Sequence, residues 1–199
     1  MEYNVENLFD TEDDPSHADE DFLPDGSHHW TPARYRLKLQ RIAEVISLVG
    51  DEDFPDLVGL VEVEGGQVIE DLLHKTPLGQ QARYSFLVTH GEDPRGIQVA
   101  LLYRPSSFRL IAKEEIPLRF PFDEVKRTRS LLHATGVVAS GDTLDVVLCH
   151  LPSRRGGARR TAPYRAYGAS RLRQLVDSLA QVGGGSRHSL LLGDFNGEA

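Results

Sequence analysis

Cysteine is almost absent from this 199-residue chain. Cys149 stands alone, with no partner for an intrachain disulfide and no companion for a zinc cage. The fold must then hold by burying apolar surface, and a chain of this length can bury one core without such staples. Long apolar runs are missing too. No window approaches the run of about 18 apolar residues that a membrane helix needs, and Met1 to Phe9 carry neither the basic start nor the apolar stretch of a secretion leader. As given, the chain reads as soluble; its compartment stays open between the cytoplasm and, had a leader been removed, secretion. No low-complexity linker divides it and no repeat recurs, so residues 1–199 are expected to form a single domain.

Basic residues are missing from one stretch and acids from another. The formal net charge of -8 argues against broad, sequence-blind attachment to a polyanion. From Glu6 to Asp25 there are nine carboxylates and no Lys or Arg. From Leu151 to Val176 there are seven arginines (Arg154, Arg155, Arg159, Arg160, Arg165, Arg171, Arg173) and no acid. The acidic run is read as solvated, because its carboxylates lack a regular ligand spacing. The basic run directly follows His150-Leu151-Pro152-Ser153, and a solvated helix face and a local anion site are equally good readings of it. Nothing in the sequence points to a protein partner.

Periodicity supplies the elements. Thr31-Pro32 has the form of a helix start, and Tyr35, Leu39, Ile42, Ile46 and Val49 recur at helical spacing up to Gly50. The apolar run Leu57 to Val61 reads as a strand buried on both faces, ending at Glu62. One short helix is expected near Gln67 to Leu73. Strands follow at Tyr84–Thr89, Ile97–Tyr103, Phe108–Ile116, Leu131–Val138 and Leu144–Cys149. Pro163 is placed at the opening of a second long helix, which Gly183-Gly184-Gly185 breaks before a last strand at Ser189–Leu192. Strands that follow one another without helices exclude an all-parallel doubly wound sheet, and mixed sheets with helices outside fit better.

Polar residues sit where these strands end, the place from which a rigid sheet presents side chains to a shared cleft. They are Asn4, Glu62, His150, Asp194 and Asn196. Each alone is usually a turn former, a cap or a solvated group; together they suit phosphoryl hydrolysis. Glu62 with Asn4 offers the hard oxygen ligands that Mg²⁺ prefers, with Mn²⁺ as an alternative. Asp194 is placed to orient or deprotonate water, Asn196 to donate to a phosphate, and His150 to do so with a full charge when protonated. Arg154 and Arg155 beside His150 have the guanidinium chemistry for a phosphate or a nucleic-acid backbone.

Five segments, in order, carry a resemblance: Tyr3-Asn4-Val5-Glu6-Asn7-Leu8-Phe9-Asp10, Asp56-Leu57-Val58-Gly59-Leu60-Val61-Glu62, Arg95-Gly96-Ile97-Gln98-Val99-Ala100-Leu101-Leu102-Tyr103-Arg104, His150-Leu151-Pro152-Ser153-Arg154-Arg155-Gly156-Gly157 and Gly193-Asp194-Phe195-Asn196. Together they resemble the endonuclease/exonuclease/phosphatase superfamily, which includes DNase I-like nucleases, abasic-site endonucleases, sphingomyelinases and inositol polyphosphate phosphatases. The resemblance implies an α/β (α+β) fold, a four-layer sandwich of two mixed, mainly antiparallel sheets flanked by helices. It implies a divalent metal at Glu62, metal or phosphate roles for Asn4, His150, Asp194 and Asn196, and secondary site roles for Arg95 and Tyr103. The implied activity is hydrolysis of a phosphoester, in DNA or another phosphodiester.

Two departures shape the expectation. Members of the family finish with a later strand and an Asp-His pair, and the chain stops at Ala199 before any such pair; at the front, only Met1-Glu2 precede Tyr3-Asn4. The domain is therefore expected to be partial at the C-terminus and short at the N-terminus, with its own activity in question. A phosphomonoesterase of the same fold and a noncatalytic phosphate-binding module are the alternatives. A calcineurin-like phosphoesterase is disfavoured because an early Asp-x-His and a Gly-Asn-His-Asp/Glu segment are absent.

Overall fold

The computed structural model describes residues 1–50, 53–183 and 187–197. Two four-stranded sheets carry the architecture. Sheet A has the order β1 (Glu2–Leu8), β2 (Leu57–Val63), β4 (Gln98–Tyr103), β3 (Ser85–Val88). Sheet B has the order β5 (Phe108–Ile116), β6 (Leu131–Val138), β7 (Thr143–His150), β8 (Arg187–Asp194). β1 runs parallel to β2 and β7 parallel to β8, while the remaining pairs are antiparallel.

Alternation along the strands sorts the layers. Val61, Val99 and Leu101 of sheet A meet Phe108, Leu132, Val146 and Leu148 of sheet B between the sheets. Gly59 is needed there, since a Cβ would press on Leu148 across the gap. The opposite face of sheet A, with Val58, Leu60 and Val63, packs under α1 (Pro32–Val49) and α2 (Gly66–His74) through Leu39, Ile42, Ile46, Ile69 and Leu72. The opposite face of sheet B, with Val147 and Cys149, packs under α4 (Ala158–Gly183) through Leu172 and Leu179. The result is the four-layer sandwich with two mixed sheets that the resemblance implies.

Most expected elements form within a residue or two. Thr31 caps α1, its side chain accepting from the Arg34 backbone N–H. Three details differ. The first strand is seven residues long, as β1 pairs with β2 from Glu2 onward and then continues through a bulge to Leu8. A second short helix, α3 (Leu78–Ala82), follows α2 where one was expected. Pro163 lies inside α4, not at its opening. The helix starts five residues earlier because Gly156 and Gly157 take positive φ and turn the chain. The Thr161 hydroxyl and the Arg165 guanidinium then bond first-turn carbonyls at Gly157 and Ala158. The bond that proline cannot donate is lost on the exposed side of the helix. Gly183 is the last residue of α4, whereas Gly184 and Gly185, the rest of the expected breaker, lie outside the described residues.

Candidate active site

The C-terminal ends of the two parallel pairs meet across the sandwich. In β7 and β8, paired in register, His150 lies opposite Asp194. Both share the inward parity of Leu148 and Leu192, so both point between the sheets. Asn4 pairs with Val61 in β1 and β2.

Glu62 reaches the same point by a break in the pattern. Simple alternation would send it to the face of Val58 and Leu60, under the helices. The β2–β4 register instead shifts between Val61 and Val63, Glu62 takes φ 67°, and Val63 occupies the helix-side position. The bulge turns the carboxylate out toward β8, a common device for re-aiming a side chain. Glu6 and Asn7 (φ 55° and 64°) and Asn196 (φ 49°) are strained in the same sense nearby. Lys38 from α1 holds the Glu6–Asn7 bulge by donating to both carbonyls, at 2.6 and 3.2 Å. Gly193, at φ 127°, is the one residue type that fits its position, since any Cβ would collide with the Cys149 carbonyl.

The Asn4 amide is the hub. Its Oδ1 accepts from the Glu6 backbone N–H at 2.8 Å, which fixes its orientation. Its Nδ2 then donates to Glu62 Oε1 at 3.4 Å and Asp194 Oδ2 at 3.3 Å. His150 Nε2 stands 3.8 Å from Glu62 Oε1 and 4.0 Å from Asp194 Oδ2. Asp194 Oδ1 accepts from the Asn196 backbone N–H at 2.8 Å, and the Asn196 amide donates to the Leu151 carbonyl at 2.9 Å. One of its two N–H groups is thereby committed inside the protein, leaving the other for an external acceptor.

His150 differs from the expectation of a charged donor. Its Nε2 lies 3.0 Å from Arg129 Nη2, and a guanidinium can only donate. Nε2 must therefore accept, the ring is neutral, and its proton sits on Nδ1, which is buried without a partner. Burial, then the Arg129 and Arg95 charges, push the imidazole down to about 3. The positive charge at this point belongs to Arg129, itself buried and paired with Asp93 at 3.2 Å. Neither Arg129 nor Asp93 was singled out from the sequence. The signal that could have marked Arg129 is a basic residue at the mouth of an apolar strand, in Arg129-Ser130-Leu131-Leu132.

A cleft of about 560 Å³ opens beside Glu62, lined among others by Arg95, Arg129, Arg155, Arg160 and Tyr164. Arg95 reaches Asn7 Oδ1 at 3.3 Å and Asp93 at 3.6 Å. Arg154 donates to the Asn196 carbonyl at 3.2 Å. Tyr103 is a correction: it pairs with Leu57 at the opposite end of β2, about 17 Å from Glu62 at 3.4 Å per residue. There it contacts Phe108 and lines a different groove with His74 and Tyr84. β4 runs antiparallel to β2, so only its start, beside Arg95, can reach the centre. The acidic N-terminal run stands mostly in solvent and serves local turns, as where Asp10 and Asp14 accept from the backbone two residues on.

Among the described residues, no three His, Cys, Asp or Glu side chains are arranged to hold a metal by themselves. The donor set does fit Mg²⁺, which keeps several waters and takes one or two carboxylates. Glu62 and Asp194 bring two carboxylate oxygens onto a single neutral amide nitrogen, an arrangement that a cation relieves.

The whole chain, residues 1–199, matches the model of the Endonuclease/Exonuclease/phosphatase family, and the protein belongs to that family. A search of curated proteins finds no match. Solved structures share the fold at low identity. A humanized D. rerio TDP2 is 17% identical over 100% of this chain and 62% of its own, with a TM-score of 0.59. The human Nocturnin catalytic domain with bound sulfate is 22% identical over 82% of this chain and 57% of its own, at 0.60. ANGEL2, described as a 2',3'-cyclic phosphatase, is 17% identical over 98% of this chain and 52% of its own, at 0.64. The chain thus spans between about half and three-fifths of the length of these structures. No helix among the described residues is long and apolar enough to cross a membrane.

Proposed function

We propose that the chain carries the metal and phosphate side of a divalent-metal-dependent phosphoester hydrolase. One observation carries this reading: β1, β2 and β8 bring Asn4, Glu62 and Asp194 to one point, with His150 of β7 within 4.0 Å. Family membership and the likeness to ANGEL2, a 2',3'-cyclic phosphatase, support the same reaction class.

In this reading Glu62, held by Asn4, binds Mg²⁺, or Mn²⁺ in its place. When bound, the ion polarises the phosphoryl oxygen and stabilises the departing oxyanion. Asp194 takes the proton of the attacking water and orients it. Neutral His150 offers no charge of its own and instead positions Arg129, whose guanidinium faces the phosphate from the cleft wall. The remaining N–H of Asn196, with Arg95, Arg154 and Arg155, binds phosphate oxygens. The substrate is a phosphodiester, in nucleic acid or elsewhere.

Two measurements test the reading. Calorimetric titration of the chain with Mg²⁺ or Mn²⁺ should show one site that Glu62→Gln removes. With the reading frame expressed to its full length, hydrolysis of a chromogenic phosphodiester should need the metal and Asp194. A chain that binds neither ion, or an Asp194→Ala variant with undiminished turnover, would count against it.

A further inference from the structure

α1 sends one cation to the strand that carries Asn4. Its inner face is otherwise apolar, with Tyr35, Leu39, Ile42 and Ile46 buried against sheet A. Lys38 stands beside that stripe, one helical turn from both Tyr35 and Ile42, and is half-buried. Among the described residues its ammonium meets two carbonyls and a ring, and no carboxylate within ion-pair distance. Burying an ammonium costs free energy that strong contacts must offset, and an apolar side chain would pack at such a position without that cost.

What the ammonium holds is the β1 bulge. Val5, Glu6 and Asn7 have no partner in the β2 ladder, whose register shifts between Asn4 and Leu8. Lys38 Nζ donates to the carbonyls of Glu6 and Asn7, the two residues with positive φ. The Trp30 ring stands over it with its centroid at 5.4 Å, within cation–π range. That ring is itself fixed, its Nε1 donating to the Phe9 carbonyl at 2.9 Å just past the end of β1. Arg34, the other cation over Trp30, donates instead to the His28 and His29 carbonyls.

Each bulged residue carries a contact onward. The Glu6 N–H orients the Asn4 amide, which spans Glu62 and Asp194. Asn7 Oδ1 accepts from Arg95, which lines the cleft. Lys38 itself lines a separate groove with Tyr3 and Arg41 and not the Glu62 cleft. We infer that Lys38 is a positioning residue of the centre: by holding the Glu6 and Asn7 carbonyls it fixes the bulge, and through the bulge the aim of Asn4 at Glu62 and Asp194, so that affinity for the divalent ion depends on a side chain that does not touch it. This rests on reading the centre as that of a metal-dependent hydrolase and adds a residue to it. A purely structural lysine would change stability alone, whereas a positioning one changes metal affinity in a chain that stays folded.

The test uses the full chain. In calorimetric titration with Mg²⁺, Lys38→Met should bind about 10–100-fold more weakly than the parent, the range for losing a residue that orients a ligand without binding the metal. Lys38→Arg, which keeps a charged donor in a different shape, should recover part of that loss. Lys75→Met is the control: its ammonium also serves the helix layer, on Asp71 at 2.6 Å, so its removal should lower the urea midpoint and leave Mg²⁺ affinity unchanged. Amide NMR spectra of the metal-free chain read the geometry itself. The Asn4 side-chain amide peaks, identified by their absence in Asn4→Asp, should move in Lys38→Met and stay in place in Lys75→Met. Where Lys38→Met does not fold, Lys38→Gln, which keeps a donor without the charge, is read in the same way. The inference is overturned if the Mg²⁺ affinity or the Asn4 peaks of the Lys38 variant match the parent, if Lys75→Met loses as much affinity, or if Lys38→Arg recovers none. A chain that binds no Mg²⁺ while its Asn4 peaks still respond to Lys38 sinks the hydrolase reading and leaves the positioning role standing.

Discussion

β6 and β7 place two buried histidines on opposite faces of sheet B, and the two sites are built on different principles. On the α4 side His133 Nε2 meets Asp145 at 2.8 Å, Thr135 donates to the same carboxylate at 2.7 Å, and Arg187 grips it through two nitrogens at 2.5 and 2.9 Å. Asp145 is fully buried and every neighbour is complementary. Burial alone would raise its carboxyl, but the Arg187, Thr135 and His133 hydrogen bonds outweigh it and hold the group below the usual carboxylate range. Between the sheets His150 faces a guanidinium, two carboxylates stand beyond hydrogen-bond reach of the ring, and His150 Nδ1 and Arg129 Nε are buried without partners. A satisfied network of this kind stabilises a fold, whereas unsatisfied groups gathered in a cleft mark the place where a ligand completes the set.

The sharpest break between the two sites comes from exchanging a single carboxylate at each. Asp194→Asn should lower phosphodiester hydrolysis by about 10²–10⁴-fold, the range for loss of a general base, while the urea midpoint barely moves because that side chain is partly exposed. Asp145→Ala should do the reverse. It leaves His133 and Arg187 without their anion and costs about 3 kcal/mol of stability in urea unfolding, with metal binding unchanged below the transition.

Acid separates the two sites more gently. His150 has a folded value of about 3 against 6.5 when exposed. The unfolded chain therefore binds the extra proton between those values, and this contribution to stability is complete above about 6.5 and is lost as pH falls toward 3. Asp145, also lowered, loses its contribution only below the ordinary carboxylate value of 3.8. Glu64 runs the other way: burial pushes it up to about 7, so its contribution is complete below about 4.5 and lost as pH rises through 7. Comparing variants with the parent cancels that opposing slope. His150→Asn should gain on the parent by ~1.4 kcal/mol for each pH unit between about 6 and 4, and Asp145→Asn should show no such gain above pH 4.

The smallest effect concerns backbone strain. Asparagine tolerates positive φ better than glutamate does, so Glu62→Asn should raise stability by about 0.5–1 kcal/mol while removing Mg²⁺ binding, a gain in fold at the expense of the site. Should it destabilise instead, the bulge is not strained and the contrast between the two sites narrows.

The sequence showed much of this because strand-end residues announce themselves where an apolar run stops. Glu62, His150 and Asp194 each follow one, and Asp194 and Asn196 share a short segment with the glycine that its backbone requires. Arg95 and Tyr103 came from one motif, yet a strand of six residues separates their surroundings, and only topology tells which end faces the centre. Arg129 and Asp93 escaped notice because their partners are distant in sequence: Arg129 meets a histidine 21 positions on. The state of His150 likewise depended on that neighbour and could not be read from its own segment.

What the sequence determined by itself was local: the alternation that makes the strands, the cap that starts α1, and the carboxylate, amide and imidazole groups at their ends, all set by interactions within a few residues. Tertiary structure alone decided how those ends converge, which way the Glu62 bulge turns its carboxylate, and that the positive charge belongs to Arg129 and not to His150. Protonation and charge balance depend on burial and on neighbours brought from other strands, and the linear order of residues does not contain those distances.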